Sequence, residues 1–354
     1  MFAPYHFALQ QFHTNFEQLN DEICDSSISE ECETKLLGTK WNKIFDSIYP
    51  NPINLDASAN TRRKVLKTLH SIYDILNIYA PMLNRAKLFL QKVQLNASLG
   101  WDKQFPKELQ REWTRICRQV NGCPPIELPR QFGDRNDEYS LFAFKDASKE
   151  LYGAVIYIKN LSTGKVSYFI SKVKVVCSSN LKKTIPALEF QAITLGVEML
   201  IDVNQQLAGE NTVMPIIVRD LSLFTDSMVA MHWLQNFSIK LDKMQRVSTF
   251  VMNRMHKIEG LCNTKAVTFN FVDGTNNPAD HLTRCVSHKK LVKTNFHTGP
   301  IFLEESDACP DSDLRVIMPN PSYVPRDEVI CYTVNTKDEI NKPSFERFSS
   351  FLLN

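Results

Sequence analysis

"LFAFKDASKELYGAVIYIKN", residues 141–160, decides how the middle of this 354-residue chain is read. Leu141 to Phe144 is a short apolar run that ends near an acid, Asp146, and Tyr152 to Ile158 then resumes an apolar pattern. Short runs rich in aromatic and β-branched residues, parted by polar turn formers, read as two strands of a hairpin. Asp146 stays open to two readings at this point. Its side chain bonds locally in turns, which makes Asp a common turn former, and a carboxylate at a strand end is also where a metal ligand would stand. The acids downstream decide between them.

Outward from this hairpin, Val166 to Val173 is a third strand, reached through the turn Ser162-Thr163-Gly164-Lys165. "TIPALEFQAITLGVEMLIDV" places Leu188, Ala192, Leu195 and Met199 on one helical face, with Thr184 as an N-cap and Pro186 in the first turn. "MPIIVRDLSLFTDS" contains a buried strand. "SMVAMHWLQN" and "DKMQRVSTFVMNRMHKIEGL" are helices, Val267 to Val272 is a fifth strand, and a last helix begins near Pro278. A meander, a helix, a strand, helices, a strand and a helix make an α/β domain with a mixed five-stranded sheet and flanking helices.

Upstream the period changes. From Thr61, Val65, Leu66, Leu69, Ile72, Tyr73 and Leu76 recur at three and four, and Pro81 opens a second helix carrying Leu83, Ala86, Leu90 and Val93. "FPKELQREWTRICRQV" is a third, with Leu109, Trp113 and Ile116 as its stripe. The expected organisation is a polar segment over 1–36, a mainly helical region over 37–122, a Pro-rich linker over 123–138, the α/β domain over 139–293 and an acidic Pro-rich tail over 294–354.

The net charge of +2 is unevenly spread. Residues 140–293 hold 19 basic and 12 acidic residues, a balance of +7, while residues 300–354 hold 5 and 10, a balance of −5. A basic middle suits an anionic partner, and equally a solvated surface. Nine scattered cysteines without a C-x-x-C pair argue against a disulfide framework and for a reducing compartment. With no signal peptide and no long apolar stretch, a cytoplasmic protein is expected.

Four acids fall at element ends: Asp146 after the first strand, Glu189 early in the following helix, Asp226 after the fourth strand and Asp280 at the start of the last helix. Each alone has an ordinary explanation as a turn former, an N-cap or a partner of a helix dipole. Gathered at one sheet edge, they would repel one another unless a cation intervened. Mg²⁺ takes carboxylate oxygens and keeps sites for phosphate. Two such ions about 3.5–4 Å apart can activate water and stabilise the leaving oxygen of a phosphodiester. Asp56-Ala57-Ser58 repeats the Asp-Ala-Ser triplet without a preceding strand, so the triplet itself carries little.

"DASKELYGAV", "TIPALEF", "FTDSMVAMHWL" and "NNPADHLTR", in this order, resemble the ribonuclease H region of retrotransposon polyproteins, most of all the BEL/Pao class. "FVMNRMHKIEGL" and "KTNFHTGPIFL" resemble the same class. "KLLGTKW", the helical stretch from Arg62 and "LGWDKQFPKELQREW" look like the thumb and connection of a reverse transcriptase, a likeness running from about residue 35 to 303. This resemblance implies a ribonuclease H-like fold preceded by a thumb/connection-like domain. It also implies RNA–DNA hybrid endonuclease activity with two Mg²⁺ ions (Mn²⁺ as a substitute) and the polymerase part of the same element as a partner. By motif, Asp146 would bridge the ions, Glu189 and Asp226 would hold one, and Asp280 the other.

The chain also departs from that pattern. The His that many ribonucleases H carry on a loop before the last acid is missing; His232 and His256 fall on expected helices, and His281 directly follows Asp280. There is no Asp-Asp dipeptide, so DNA synthesis by this chain alone is excluded. Cys285, His288, His297 and Cys309 lack zinc-ligand spacing. A peptidase label is disfavoured, because the chain has Asp273-Gly274-Thr275 rather than Asp-Ser/Thr-Gly. A catalytically inactive nucleic-acid-binding relic is the alternative. Lys240, Lys243, Arg246, Arg254 and Lys257 on the long helix, with Ser148 and Ser227 near two of the acids, are the candidate nucleic-acid contacts.

Overall fold

The computed structural model describes residues 33–36, 38–134, 136–177, 183–208, 215–238, 247–305 and 315–318. Most of the expected N-terminal segment and most of the expected tail, all of it but residues 294–305 and 315–318, lie outside these residues.

Strands occupy the end of the expected polar segment and the start of the region expected to be mainly helical. β1 (Glu33–Leu36), β2 (Thr39–Asn42) and β3 (Ser47–Pro50) form an antiparallel sheet. Gly38, at φ +80°, takes the left-handed conformation that the turn between β1 and β2 requires. Asp46 turns the next corner at φ 46°, its carboxylate accepting from Trp41 Nε1 at 2.9 Å and from Arg130 Nε at 2.6 Å. Three helices follow: α1 (Arg62–His70), α2 (Ala80–Leu95) and α3 (Lys107–Val120). The Thr61 hydroxyl caps α1 by accepting from the Lys64 amide. The periodic pattern predicts helix as far as Leu76, but α1 ends at His70. Asp74 accepts from the amides of Ile78 and Tyr79 at 2.9 and 2.8 Å, and Asn77 turns the chain at φ 55°, so local capping overrides the apolar period. Within the expected linker, the two-residue β4 (Leu128–Pro129) pairs with β3.

The main sheet begins with β5 (Glu138–Ala147), β6 (Leu151–Asn160) and β7 (Val166–Val175), an antiparallel meander. After α4 (Ile185–Ala208), β8 (Ile217–Thr225) pairs parallel to β5. α5 (Met228–Ser238) and α6 (Thr249–Cys262) lead to β9 (Val267–Phe271), parallel to β8. Short helices α7 (Asp280–Thr283), α8 (His288–Leu291) and α9 (Phe302–Glu305) follow. β10 (Arg315–Met318) then adds an antiparallel sixth strand from within the expected tail. The strand order is β10-β9-β8-β5-β6-β7.

Both faces of this sheet are covered, and strand alternation assigns each residue to one of them. Leu141, Ala143, Ala154, Ile156 and Leu223 pack with Leu188, Ala192 and Leu195 of α4. Gly196 permits the close approach of α4 to β8, since a Cβ there would lie 2.7 Å from Leu223 Cδ1. Phe142, Phe144, Val155, Tyr157 and Phe224 face the other way, into a core shared with Val65, Phe89 and Trp113 of the three helices. Phe144 and Phe224 stack at 4.7 Å. Polar bonds tie this helical layer to the sheet: Gln91 Nε2 donates to the Val176 carbonyl at 2.7 Å, and the Tyr168 hydroxyl to the Leu76 carbonyl at 2.7 Å. No helix among the described residues is long and apolar enough to cross a membrane.

Candidate active site

Asp146 stands inside β5, not after it. The ladder continues through Asp146↔Gly153 and Ala147↔Tyr152, and the turn comes only at Ser148. The Ser148 hydroxyl accepts from the Leu151 amide at 3.0 Å and donates to the Leu151 carbonyl, so it is committed to the hairpin. Gly153 is obligatory beside Asp146, because a Cβ there would lie 2.8 Å from the Lys172 carbonyl oxygen on β7.

Glu189 projects from the first turns of α4, and Asp226 directly follows the last residue of β8. Ser227, next in sequence, accepts from the Ala230 amide at 3.4 Å at the start of α5. Carboxylate oxygens of Asp146, Glu189 and Asp226 all lie within 4.8 Å of one another. Strand alternation turns Asp146 toward the α7 face and Glu189 comes from the opposite face, so the three meet at the end of β5.

The fourth acid is placed differently. Asp280 is the first residue of α7 and falls outside that close group; its carboxylate pairs with Arg284 Nε at 2.5 Å. α7 is nevertheless fastened to the site. Asn277 donates to the Lys145 carbonyl at 3.0 Å, and the Thr283 hydroxyl bonds to the Asp146 carboxylate. Asp280 and His281 line a cavity of about 370 Å³ together with Arg85, Gln119, Arg284 and Lys290.

Burial dominates the electrostatics. It pushes the Asp146 carboxyl up to about 6, with Asp226 and Asp280 adding to the rise and the Thr283 bond opposing it. It pushes Glu189 up to about 7 against the pull of Lys145, and it also raises Asp280. Desolvation beside like charges favours the neutral form of Asp146 and Glu189.

Lys145 is a site residue that the motifs do not reveal. It occupies β5 directly before Asp146, is 0% exposed, and its ammonium bonds to the Glu189 carboxylate. Asp226 Oδ1 lies 3.6 Å from the same nitrogen. A lysine inside a run of apolar strand residues is the available signal, since a charge there is buried only when paired. Thr283 and Asn277 carry no such signal.

The other candidates lie apart. Lys240, Lys243 and Arg246 are outside the described residues, as is Cys309. Arg254 is half-buried, its guanidinium over the Phe250 ring at 3.3 Å, and Lys257 pairs with Glu198 at 2.5 Å. His232 is exposed, and His256 packs edge-on to Phe237. Asp56 accepts from the Ser58 amide at 2.8 Å in a local loop turn. Among the described residues, the three acids are the one cluster with metal-ligand spacing. Their donors are hard oxygens with no thiolate or imidazole among them, which fits an ion of the Mg²⁺ or Mn²⁺ kind.

Residues 61–227 match a family model described as Pao retrotransposon-like RNaseH-like domain. Among solved structures, the foamy viral protease-reverse transcriptase in complex with dsDNA is similar at 14% identity and a TM-score of 0.45, over 71% of this chain and 47% of that one. A second foamy viral protease-reverse transcriptase structure with dsDNA gives 14% and 0.44, over 69% and 38%. RNase H1 from the halophilic archaeon Halobacterium salinarum gives 9% and 0.28, over 44% and 99%. The chain thus spans less than half the length of the foamy viral proteins. Comparison with curated proteins gives no match.

Proposed function

We propose that the chain is an RNA–DNA hybrid endonuclease of a BEL/Pao-like element, a reading supported by the match of residues 61–227 to the Pao retrotransposon-like RNaseH-like family model. The observation that carries this is the convergence of Asp146, Glu189 and Asp226 oxygens within 4.8 Å at the end of β5. Asp146, Glu189 and Asp226 would hold a first Mg²⁺, with Asp146 and Asp280 at a second. Bound there, the ions supply an activated water and charge stabilisation for phosphodiester cleavage. The protein's own part is positional. β5, α4 and β8 fix the three carboxylates, while the Thr283 and Asn277 bonds hold α7, and with it Asp280, against β5.

An anionic duplex has basic surface to follow. Arg111, Arg115 and Arg118 with Lys107 line a groove on the exposed face of α3. Arg85, which bonds to Gln119 at 2.9 Å, then leads to Arg284 and Lys290 beside Asp280. Hybrid recognition would rest on phosphates, groove shape and 2′-hydroxyls. The polymerase part of the same element is the proposed protein partner.

One observation favours a second reading, a catalytically inactive nucleic-acid-binding relic: the buried Lys145 ammonium already neutralises part of the acidic cluster. The deciding experiment incubates the chain with labelled RNA–DNA hybrid, with and without Mg²⁺, beside Asp146→Asn. Metal-dependent RNA cleavage lost in the variant is the expected result. Tight hybrid binding without cleavage overturns it in favour of the relic.

A further inference from the structure

We propose that Lys145 is a resident counter-ion of the acidic cluster, holding Glu189 in the metal-free protein and competing with a divalent ion for its carboxylate. This rests on the nuclease reading of the site, and it concerns a residue outside the four acids.

Strand alternation sends Lys145 to the α4 face of β5, beneath Glu189, while its neighbour Asp146 points to the α7 face. Lys145 pairs across the ladder with Ala154, whose short side chain leaves the lysine room, and its backbone carbonyl accepts from Asn277. The side chain is 0% exposed, so water offers its ammonium no hydration. Among the described residues, its partners are Glu189, in direct contact, and Asp226, at 3.6 Å. A buried ammonium is tolerated only when paired, and carboxylates gathered within 4.8 Å stay ionised together far more readily when a cation lies among them. Each group thus answers the other's need.

The consequence for metal binding follows from charge and from lone pairs. With Asp146, Glu189 and Asp226 ionised, the cluster carries −3, and Lys145 reduces this to −2 before any ion arrives. The Glu189 oxygen bonded to the ammonium is an oxygen an incoming cation would otherwise use. A divalent ion entering the site must therefore loosen the Lys145–Glu189 pair and accept a positive charge close beside it, which weakens its binding. The lysine keeps the three carboxylates assembled without metal and sets a higher concentration threshold for loading.

The test is calorimetric titration of the full chain with Mn²⁺ and with Mg²⁺, comparing wild type with Lys145→Met, alongside thermal melts in chelator. Methionine keeps the length and removes the charge. Lys145→Gln, which keeps a donor for Glu189, serves if the first variant does not fold. The expected result is a lower melting temperature in chelator together with Mn²⁺ binding tighter by about tenfold or more. A merely structural lysine would lower the melting temperature without tightening the metal.

Wild type that binds Mn²⁺ with variants that bind it equally or more weakly overturns the proposal and leaves the nuclease reading standing. Variants that bind when wild type does not support the counter-ion role and overturn metal-dependent cleavage by the natural chain. No binding by any form overturns both.

Discussion

The side-chain amide of Asn84 donates to the main-chain carbonyl of Leu282 at 2.6 Å, across 198 positions of sequence. Asn84 is wholly buried on α2, and Leu282 lies two residues beyond Asp280 on α7. The helical layer that precedes the sheet therefore helps to set where the fourth acid stands. Asn84→Leu removes the donor and strands the Leu282 carbonyl in an apolar layer, at a cost of about 1–3 kcal/mol. Urea unfolding measures that loss. On the nuclease reading, kcat for hybrid cleavage falls by about tenfold or more at saturating Mg²⁺, because a ligand misplaced by an ångström is poorly positioned. An unchanged kcat would detach α2 from the placement of Asp280.

The raised carboxyls make the metal-free protein sensitive to pH. Asp146 reaches about 6 and Glu189 about 7, both above the usual carboxylate range of unfolded chains. The folded protein therefore binds more protons than the unfolded chain between roughly pH 4 and 7. Stability from these groups is full at the acid end and is lost as pH rises through 6 and 7. Denaturation in chelator should show stability falling from pH 5 to pH 8. Since a metal takes the ionised ligands, Mg²⁺ should restore stability most strongly at pH 8. Asp146→Asn should flatten the metal-free slope and remove much of the Mg²⁺ effect; a slope identical to wild type counts against the cluster as its source.

Much of this was legible in the sequence for a physical reason. Glu189 and Asp226 sit near the ends of their elements, where an apolar period starts or stops, and could be read locally; Asp146 reads as following its strand and lies inside β5 instead. The strand order that brings them together follows from a meander and two crossovers through helices. What stayed hidden depends on geometry rather than period. Lys145 shows in the sequence only as a charge inside an apolar strand, and its partner Glu189 emerges only when alternation and side-chain length bring the two together. Asn84 and Leu282 share no local pattern. The early end of α1 came from Asp74 satisfying two amides, a side-chain bond that the apolar repeat at Ile72 and Leu76 does not announce. β10 is four residues long, too short for a pattern to stand out from its Pro-rich surroundings.

Gly153 provides a sharper test of the hairpin that holds Asp146. A methyl group there meets the backbone of β7 and the side chains of Leu282 and Val173, the latter two at 3.2 Å each. Backbone cannot rotate away as a flexible side chain can, so Gly153→Ala should cost about 1–3 kcal/mol. Because Asp146 is its cross-strand partner, the displacement reaches the acids as well. Thermal melts should show the loss, and Mn²⁺ titration should show weaker binding. Ala at position 100, where a Cβ meets nothing within 4 Å, is the matched control and should change neither.

The two faces of α3 should separate stability from binding. Trp113 is fully buried, its ring 5.3 Å from that of Phe89, and its indole nitrogen donates to the Asp56 carbonyl at 2.8 Å. Trp113→Ala should cost about 3–5 kcal/mol. Arg111, Arg115 and Arg118 occupy the opposite, exposed face. Surface arginines contribute little to folding, so Arg115→Ala should leave stability within about 0.5 kcal/mol. If that face follows a duplex backbone, the same change should weaken hybrid binding across all sequences. It should also reduce the slope of log affinity against log salt by roughly 0.9 for each phosphate that the protein no longer neutralises. Fluorescence anisotropy at several salt concentrations measures both. Equal affinity and an unaltered slope in the triple Arg111→Ala, Arg115→Ala, Arg118→Ala variant would remove α3 from the nucleic-acid path, leaving the basic residues near Asp280 to carry it.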